Sequence, residues 1–212
     1  MSFARFVLGA VIIAASTPAF AQEWDTFVSR DDRFSVNFPG QPTVETIAWA
    51  SEYRMTHPGR VYTAFRGPEK YTLTVIDYSG AEKQYLSMSH APSFGGTYWR
   101  IDVVGSMQYA ATKLYRYRPG AKVTYDAWHH IDRVAGQQVN LLNADGTRTF
   151  AALYLHQDRL YILDGTVPVK GPEPGLFTQS LSFLDADGAR VRYDDIYFNQ
   201  VTQTMPARRG GQ

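Results

Sequence analysis

Thr97-Tyr-Trp-Arg-Ile-Asp-Val-Val-Gly-Ser-Met-Gln-Tyr-Ala-Ala-Thr-Lys-Leu-Tyr-Arg-Tyr-Arg118 is the stretch that sets this chain apart from an all-β protein. Within it Ile101, Val104, Met107, Ala111 and Leu114 recur at three- and four-residue steps, which predicts an amphipathic helix with these residues as its apolar stripe. Thr97 stands where an N-cap belongs. Arg116 and Arg118 suit the negative C-terminal end, and Pro119-Gly120 stops the helix. Gly105 costs about 1 kcal/mol relative to Ala in a helix interior, so its presence predicts close approach of the helix to a sheet.

On both sides of this helix the period changes to two. Phe34-Ser-Val-Asn-Phe38 places Phe34, Val36 and Phe38 on one face and stops at Pro39-Gly40. Val61 to Phe65 and Tyr71 to Ile76 alternate in the same way across Gly67-Pro68, and Val44 to Glu52 reads as a further strand. After the helix, Lys122 to Val134 alternates, followed by strands over Gln137–Leu142, Arg148–His156 and Leu160–Val167. Asn143-Ala-Asp-Gly146 and Gln157-Asp158-Arg159 supply turns between them. Ser79 to Gly96 reads as a loop. Pro172 to Phe183 reads as a short closing helix with Leu176, Phe177, Ser180 and Leu181 facing inward. The fold class expected is α+β: an antiparallel sheet flanked by a long central helix and a short C-terminal helix.

The order of these elements, with Phe34-Ser-Val-Asn-Phe-Pro-Gly-Gln-Pro42 opening the domain, resembles the Mog1/PsbP-like α/β/α sandwich. Phe177-Thr-Gln-Ser-Leu-Ser-Phe183 is similar to the closing segment of small bacterial secreted members of that group. The resemblance covers roughly residues 24–183 and implies a fold. It also implies a protein that binds or assembles rather than catalyses, and no family site residue carries over to a position here.

Composition sets the remaining bounds. Residues 1–21 read as a secretory signal, with Arg5, an apolar run from Phe6 to Ala15, and cleavage expected after Ala21 in Ala19-Phe20-Ala21. Residues 22–199 are then one domain and 200–212 a disordered polar tail. Only Arg5 among the charges is lost with the signal, so the mature chain is formally neutral, which argues against nucleic acid as a partner. The absence of cysteine excludes disulfides, thiolate catalysis and thiolate metal sites. No later stretch is long and apolar enough to span a bilayer as a helix, so a periplasmic or secreted location is expected.

Chemistry is harder to find. His129 and His130 are neighbours on a strand and point to opposite faces. Val123, Tyr125, Ala127, His129 and Ile131 read as a core-like face; Thr124, Asp126, Trp128, His130 and Asp132 read as its polar opposite. Asp126, His130 and Asp132 are the only metal-ligand candidates this reading nominates. Asp126 and His130 stand about 13 Å apart on an extended strand, so a solvated sheet face is the simpler account. Asp185-Ala-Asp-Gly188 lacks the ligand spacing of a calcium loop and reads as a turn. Ser93-Phe-Gly-Gly96 is no nucleophile elbow, and Gly95-Gly96 has no Lys-Ser/Thr after it to make a phosphate loop.

No cofactor is implied and no catalytic residue is nominated. The expectation is therefore a binding or accessory protein with an envelope protein as partner, and Trp128, Tyr125 and Tyr154 as candidate contact residues. The alternatives are a small-molecule or metal-binding protein using the Asp126/His130 face, and a secreted hydrolase with an unrecognised site. Oligomeric state is left open.

Overall fold

The computed structural model describes residues 23–88 and 98–199. The expected signal, the tail after residue 199, Ser93, Gly95-Gly96 and the Thr97 cap lie outside the described residues.

Among the described residues ten strands form two antiparallel sheets: β1 (Trp24–Ser29), β2 (Phe34–Pro39), β3 (Thr43–Ala50), β4 (Thr56–Arg66), β5 (Glu69–Asp77), β6 (Lys122–Ile131), β7 (Val134–Leu142), β8 (Arg148–His156), β9 (Arg159–Val167) and β10 (Ser182–Phe183). The larger sheet runs β3-β4-β5-β9-β8-β7-β6; the smaller runs β1-β2-β10. The helices are α1 (Ala81–Leu86), α2 (Tyr98–Ala111), continued by a π-helical turn over Thr112–Arg116, and α3 (Gly175–Thr178). No helix among the described residues is long and apolar enough to cross a membrane.

The strands match the period-two readings closely, because each alternating run buries one set of side chains. Strand β8, buried on both faces almost throughout, is the exception that marks the middle of the molecule. One core lies between α2 and the large sheet, built on Trp49, Ile76, Tyr78, Val103, Leu153 and Ile162. The other lies between the two sheets and is mostly aromatic: Phe34, Phe38, Tyr62, Tyr154, Tyr161 and Phe183. Buried Asp32 ties the two sheets together. It accepts both hydrogen bonds of the Arg60 guanidinium at 2.6 and 2.7 Å and a bond from the Tyr62 hydroxyl, while the Tyr161 hydroxyl donates to its carbonyl at 2.8 Å.

Several expectations are corrected. The sheet is not flanked by a helix on each side. The second face is covered by the small sheet, and the closing helix shrinks to the single turn α3, with Leu176 exposed. Ser182 and Phe183 leave it to pair with Ser35 and Phe34. The stretch read as a loop from Ser79 contains α1, held by buried Ala81 and Tyr85. Helix α2 is rotated from the expected stripe: Trp99, Val103, Ser106 and Ala110 face the sheet together with the expected Ala111, Met107 and Leu114 are partly buried against the same core, and Ile101 and Val104 are about half exposed. Both stripes satisfy helical spacing, and the small side chains Ser106, Ala110 and Ala111 let the backbone come close. The π turn then advances the phase, so that Tyr115 rather than Leu114 is the fully buried residue. Gly105 does not approach the sheet: a Cβ there would meet only Glu52 Oε2, at 3.9 Å.

Close approach is marked instead by Gly59, Gly165 and, tightest of the three, Gly136 in β7. A Cβ on it would lie 2.3 Å from the Tyr154 ring and 2.4 Å from the Leu153 carbonyl oxygen. Gly136→Ala is expected to destabilise the protein by about 1–3 kcal/mol, read as a lower urea midpoint. An unchanged midpoint would mean that β7 and β8 do not pack this tightly.

Candidate functional site

Strand β6 carries the residues the sequence nominated. A bulge between Val123 and Tyr125 breaks its register, so Val123 packs toward α2 while Tyr125, His129 and Ile131 lie on the side of the small sheet. Single-face alternation through Lys122–Val134 is corrected accordingly: strict period two cannot reveal an inserted residue. Asp132 is not on the strand face at all. It and Arg133 form the two-residue turn to β7 with φ of 47° and 62°.

The three ligand candidates do not converge. Asp126 accepts from Arg116 at 2.7 and 3.2 Å and from the Gln137 amide, and the Arg116 bond holds its carboxyl below the usual carboxylate range. Asp132 accepts from Arg190 at 2.7 Å on both oxygens. His130 is exposed, with its ring 5.3 Å from that of Trp128. Among the described residues no three His, Asp or Glu side chains come together to hold a metal. His129 instead bonds the buried Tyr154 hydroxyl through Nδ1 at 2.8 Å, and burial followed by the neighbouring His130 lowers its pKa.

What this face does have is exposed apolar surface. Trp128 is 54% exposed on the α2 side of an edge strand. Ile101 and Val104, the residues expected to be core, face solvent on the same side. They are joined to Trp128 through polar neighbours: Gln108, one turn on from Val104, donates to Gln137 at 3.5 Å, and Gln137 is the cross-strand partner of Trp128. Of the other aromatic candidates, Tyr125 is exposed on the opposite face and Tyr154 is fully buried.

A second feature was not recognised in the sequence. Beyond the end of α2, the large sheet stays open, and a groove of about 310 Å³ runs over β5 and β9. Its walls include Lys70, Thr72, Thr74, Arg118, Asp164 and Thr166, and Tyr115 and Ile162 form part of its floor. Arg118 is held from several directions: it donates to the Leu114 carbonyl at 3.1 Å and to Asn143 at 3.2 Å, and lies 5.1 Å over the Tyr115 ring. Thr149 and Thr166 share a 2.7 Å bond, and Thr166 donates to Asp164 at 3.0 Å. Burial raises the Asp164 carboxyl above its ordinary value, with Arg118 opposing, and burial pushes the Tyr115 phenol well up. The signal available in the sequence was the second face of Tyr71–Ile76, where Thr72 and Thr74 alternate with the apolar set.

Two other features offer less. An open groove of about 560 Å³ beside α3 is lined by Asn37, Asp132, Ser180 and Arg190, most of whose polar groups already bond one another or Thr26. His57 and Asp102, 3.5 Å apart, form a buried His–carboxylate pair, but both are almost wholly enclosed beneath α2 with the His57 ring 4.1 Å from Tyr78. Nearby Ser51 and Ser106 bond backbone groups instead.

No family model and no curated protein matches this chain. Among solved structures, it is similar to the cyanobacterial PsbP (CyanoP) of Synechocystis sp. PCC 6803, at a TM-score of 0.38 and 9% identity over 74% of this chain and 86% of that one. It is also similar to PA94, a protein of unknown function from Pseudomonas aeruginosa, at a TM-score of 0.29 and 12% identity over 68% of this chain and 83% of that one. The first belongs to the PsbP-like group that the sequence pattern resembles. The α+β description itself rests on the topology above, and neither likeness bears on the site.

Proposed function

We propose that this is a periplasmic or secreted non-catalytic binding protein that contacts a protein partner of the cell envelope through the α2–β6 face. The observation that carries this reading is the exposed Trp128 on edge strand β6, with exposed Ile101 and Val104 on the helix that covers the same side of the sheet. Indole is a large apolar surface with a single polar handle, and such side chains concentrate binding energy when a partner covers them. An edge strand also presents unpaired backbone N–H and C=O groups along its outer side. A partner supplying an extended segment would satisfy these groups as an added strand, with an apolar side chain over Trp128. The location rests on the signal-like leader.

The test uses the mature protein, crosslinked and recovered from its native envelope fraction beside Trp128→Ala and Val104→Asp variants. Both sites are surface positions, so folding is expected to be retained. A partner recovered with wild type and reduced at least about tenfold with either variant would support the reading. Equal recovery with all three proteins, or recovery of nothing by folded wild type, would overturn it.

A further inference from the structure

We infer that the threonine-lined face beyond the end of α2 binds a short neutral oligosaccharide. This inference does not depend on the partner-binding reading and concerns a different end of the sheet.

The large sheet buries its other face under the small sheet with Tyr62, Tyr71, Leu73 and Leu163. On the uncovered part of the α2 side the same strands present hydroxyls. Thr43, Thr63, Thr72 and Asp164 are consecutive cross-strand partners over four neighbouring strands, one residue per strand. The next row is Phe65, Lys70, Thr166 and Thr149. Neighbouring side chains in a row stand about 4.8 Å apart. Thr43 already donates to the Thr63 carbonyl and Thr166 to Asp164, so these two offer acceptor lone pairs, while the Thr63 and Thr72 hydroxyls can each donate once and accept twice to a ligand that is itself a run of hydroxyls.

Arg118 and Asp164 sharpen the choice. Arg118 Nη2 lies 3.7 Å from Asp164 Oδ2, close enough for attraction but beyond a hydrogen bond. A sugar hydroxyl placed there would accept from the guanidinium and donate to the carboxylate. Both groups are already positioned, Arg118 by Leu114, Asn143 and the Tyr115 ring, and Asp164 by Thr166. Little ordering then remains for the ligand to impose.

The rows of hydroxyls, rather than the charge, favour a neutral ligand: Lys70 and Arg118 outnumber Asp164 in the groove, so a phosphate or sulfate is the competing class of ligand. Phe65, 56% exposed and cross-strand from Lys70, supplies an apolar ring at the rim for the C–H face of a sugar. The groove is at the small end of ligand sites, which suits a few rings with much of the chain left in solvent. Among the described residues Asp164 is the only carboxylate lining it, without the second one that glycoside hydrolysis needs, so the proposed role is binding without cleavage.

Titration calorimetry with maltotriose, cellotriose and triacetylchitotriose tests this on the full mature protein, with inorganic phosphate as the anionic probe. At least one trisaccharide should bind with a Kd below about 10 mM, more tightly than phosphate. Thr72→Val, which keeps the side-chain shape and strand propensity, and Phe65→Ala should each weaken it by roughly tenfold, while Trp128→Ala leaves it unchanged. Absence of binding by all three trisaccharides, tighter binding of phosphate, or saccharide binding indifferent to Thr72→Val and Phe65→Ala would overturn the assignment. Sugar binding is read by calorimetry and partner binding by crosslinked recovery, so failure here and failure of the partner reading are separable.

Discussion

Phe34→Ala is expected to lower the unfolding free energy by about 3–5 kcal/mol, a large share of what holds a domain of this size. Phe34 has no exposed surface and sits at the seam of the two sheets. Its ring meets Tyr62 edge-on at 5.0 Å, Phe27 at 6.1 Å and Tyr161 at 6.4 Å. The space it would leave cannot close easily. Strand β2 is pinned by its ladder to β1, by Ser182 and Phe183 of β10, and, just before Phe34, by the Asp32 network across to β4 and β9. Urea unfolding should show a lower midpoint with the slope unchanged. Val28→Ala, on an exposed position of β1, should shift stability by less than about 0.5 kcal/mol. A Phe34→Ala protein within about 1 kcal/mol of wild type would mean that the small sheet contributes little to the fold.

Acidification from pH 6.5 to 4 is expected to remove roughly 3 kcal/mol of stability through His156 alone. Its Nε2 meets the Tyr193 hydroxyl at 2.7 Å, its ring lies tilted 4.5 Å from Phe183 and 5.1 Å from Tyr197, and its buried Nδ1 has no hydrogen-bond partner among the described residues. Burial first, then the charges of Arg159 and Arg33, hold it down to about 4 from an ordinary 6.5. Between those values the unfolded chain binds the extra proton, so stability is full above pH 6.5 and falls as the pH drops toward 4. His129 shifts in the same direction but is only partly buried. Asp164, raised by burial, works in the opposite sense. The informative measurement is therefore the difference between wild type and His156→Gln, by urea unfolding across this range. His156→Gln should flatten the acid side of the profile even if it lowers stability at neutral pH. Parallel profiles would show that His156 titrates normally in the folded protein.

Legibility differed by feature. Phe34, Val36 and Phe38 could be placed on one buried face from their spacing alone, because a strand has two faces and only one of these was apolar. Helix α2 was legible as a helix but not in its rotation: Ile101 and Val104 are as apolar as Val103, and only the fit of Ser106, Ala110 and Ala111 against the sheet decides which side goes in. Asp126 and Asp132 could be nominated beside His130 as ligand candidates because a sequence cannot show that Arg116 and Arg190 reach the two carboxylates from other elements. The groove was hidden for the same reason, since Thr72, Arg118 and Asp164 are far apart in the chain.

By itself, then, the sequence determined the local periods, the turns at Asn143–Gly146 and Gln157-Asp158, the α+β class and a chemistry without thiols. These follow from steric and burial preferences that act within a few residues. Only the tertiary structure decided that a second sheet covers the far face, that Trp128 stands exposed, and that hydroxyls from five strands line up beside Arg118 and Asp164. Each of these depends on register and packing between segments dozens of residues apart, where the free energy of the whole core, not the preference of any one stretch, makes the choice.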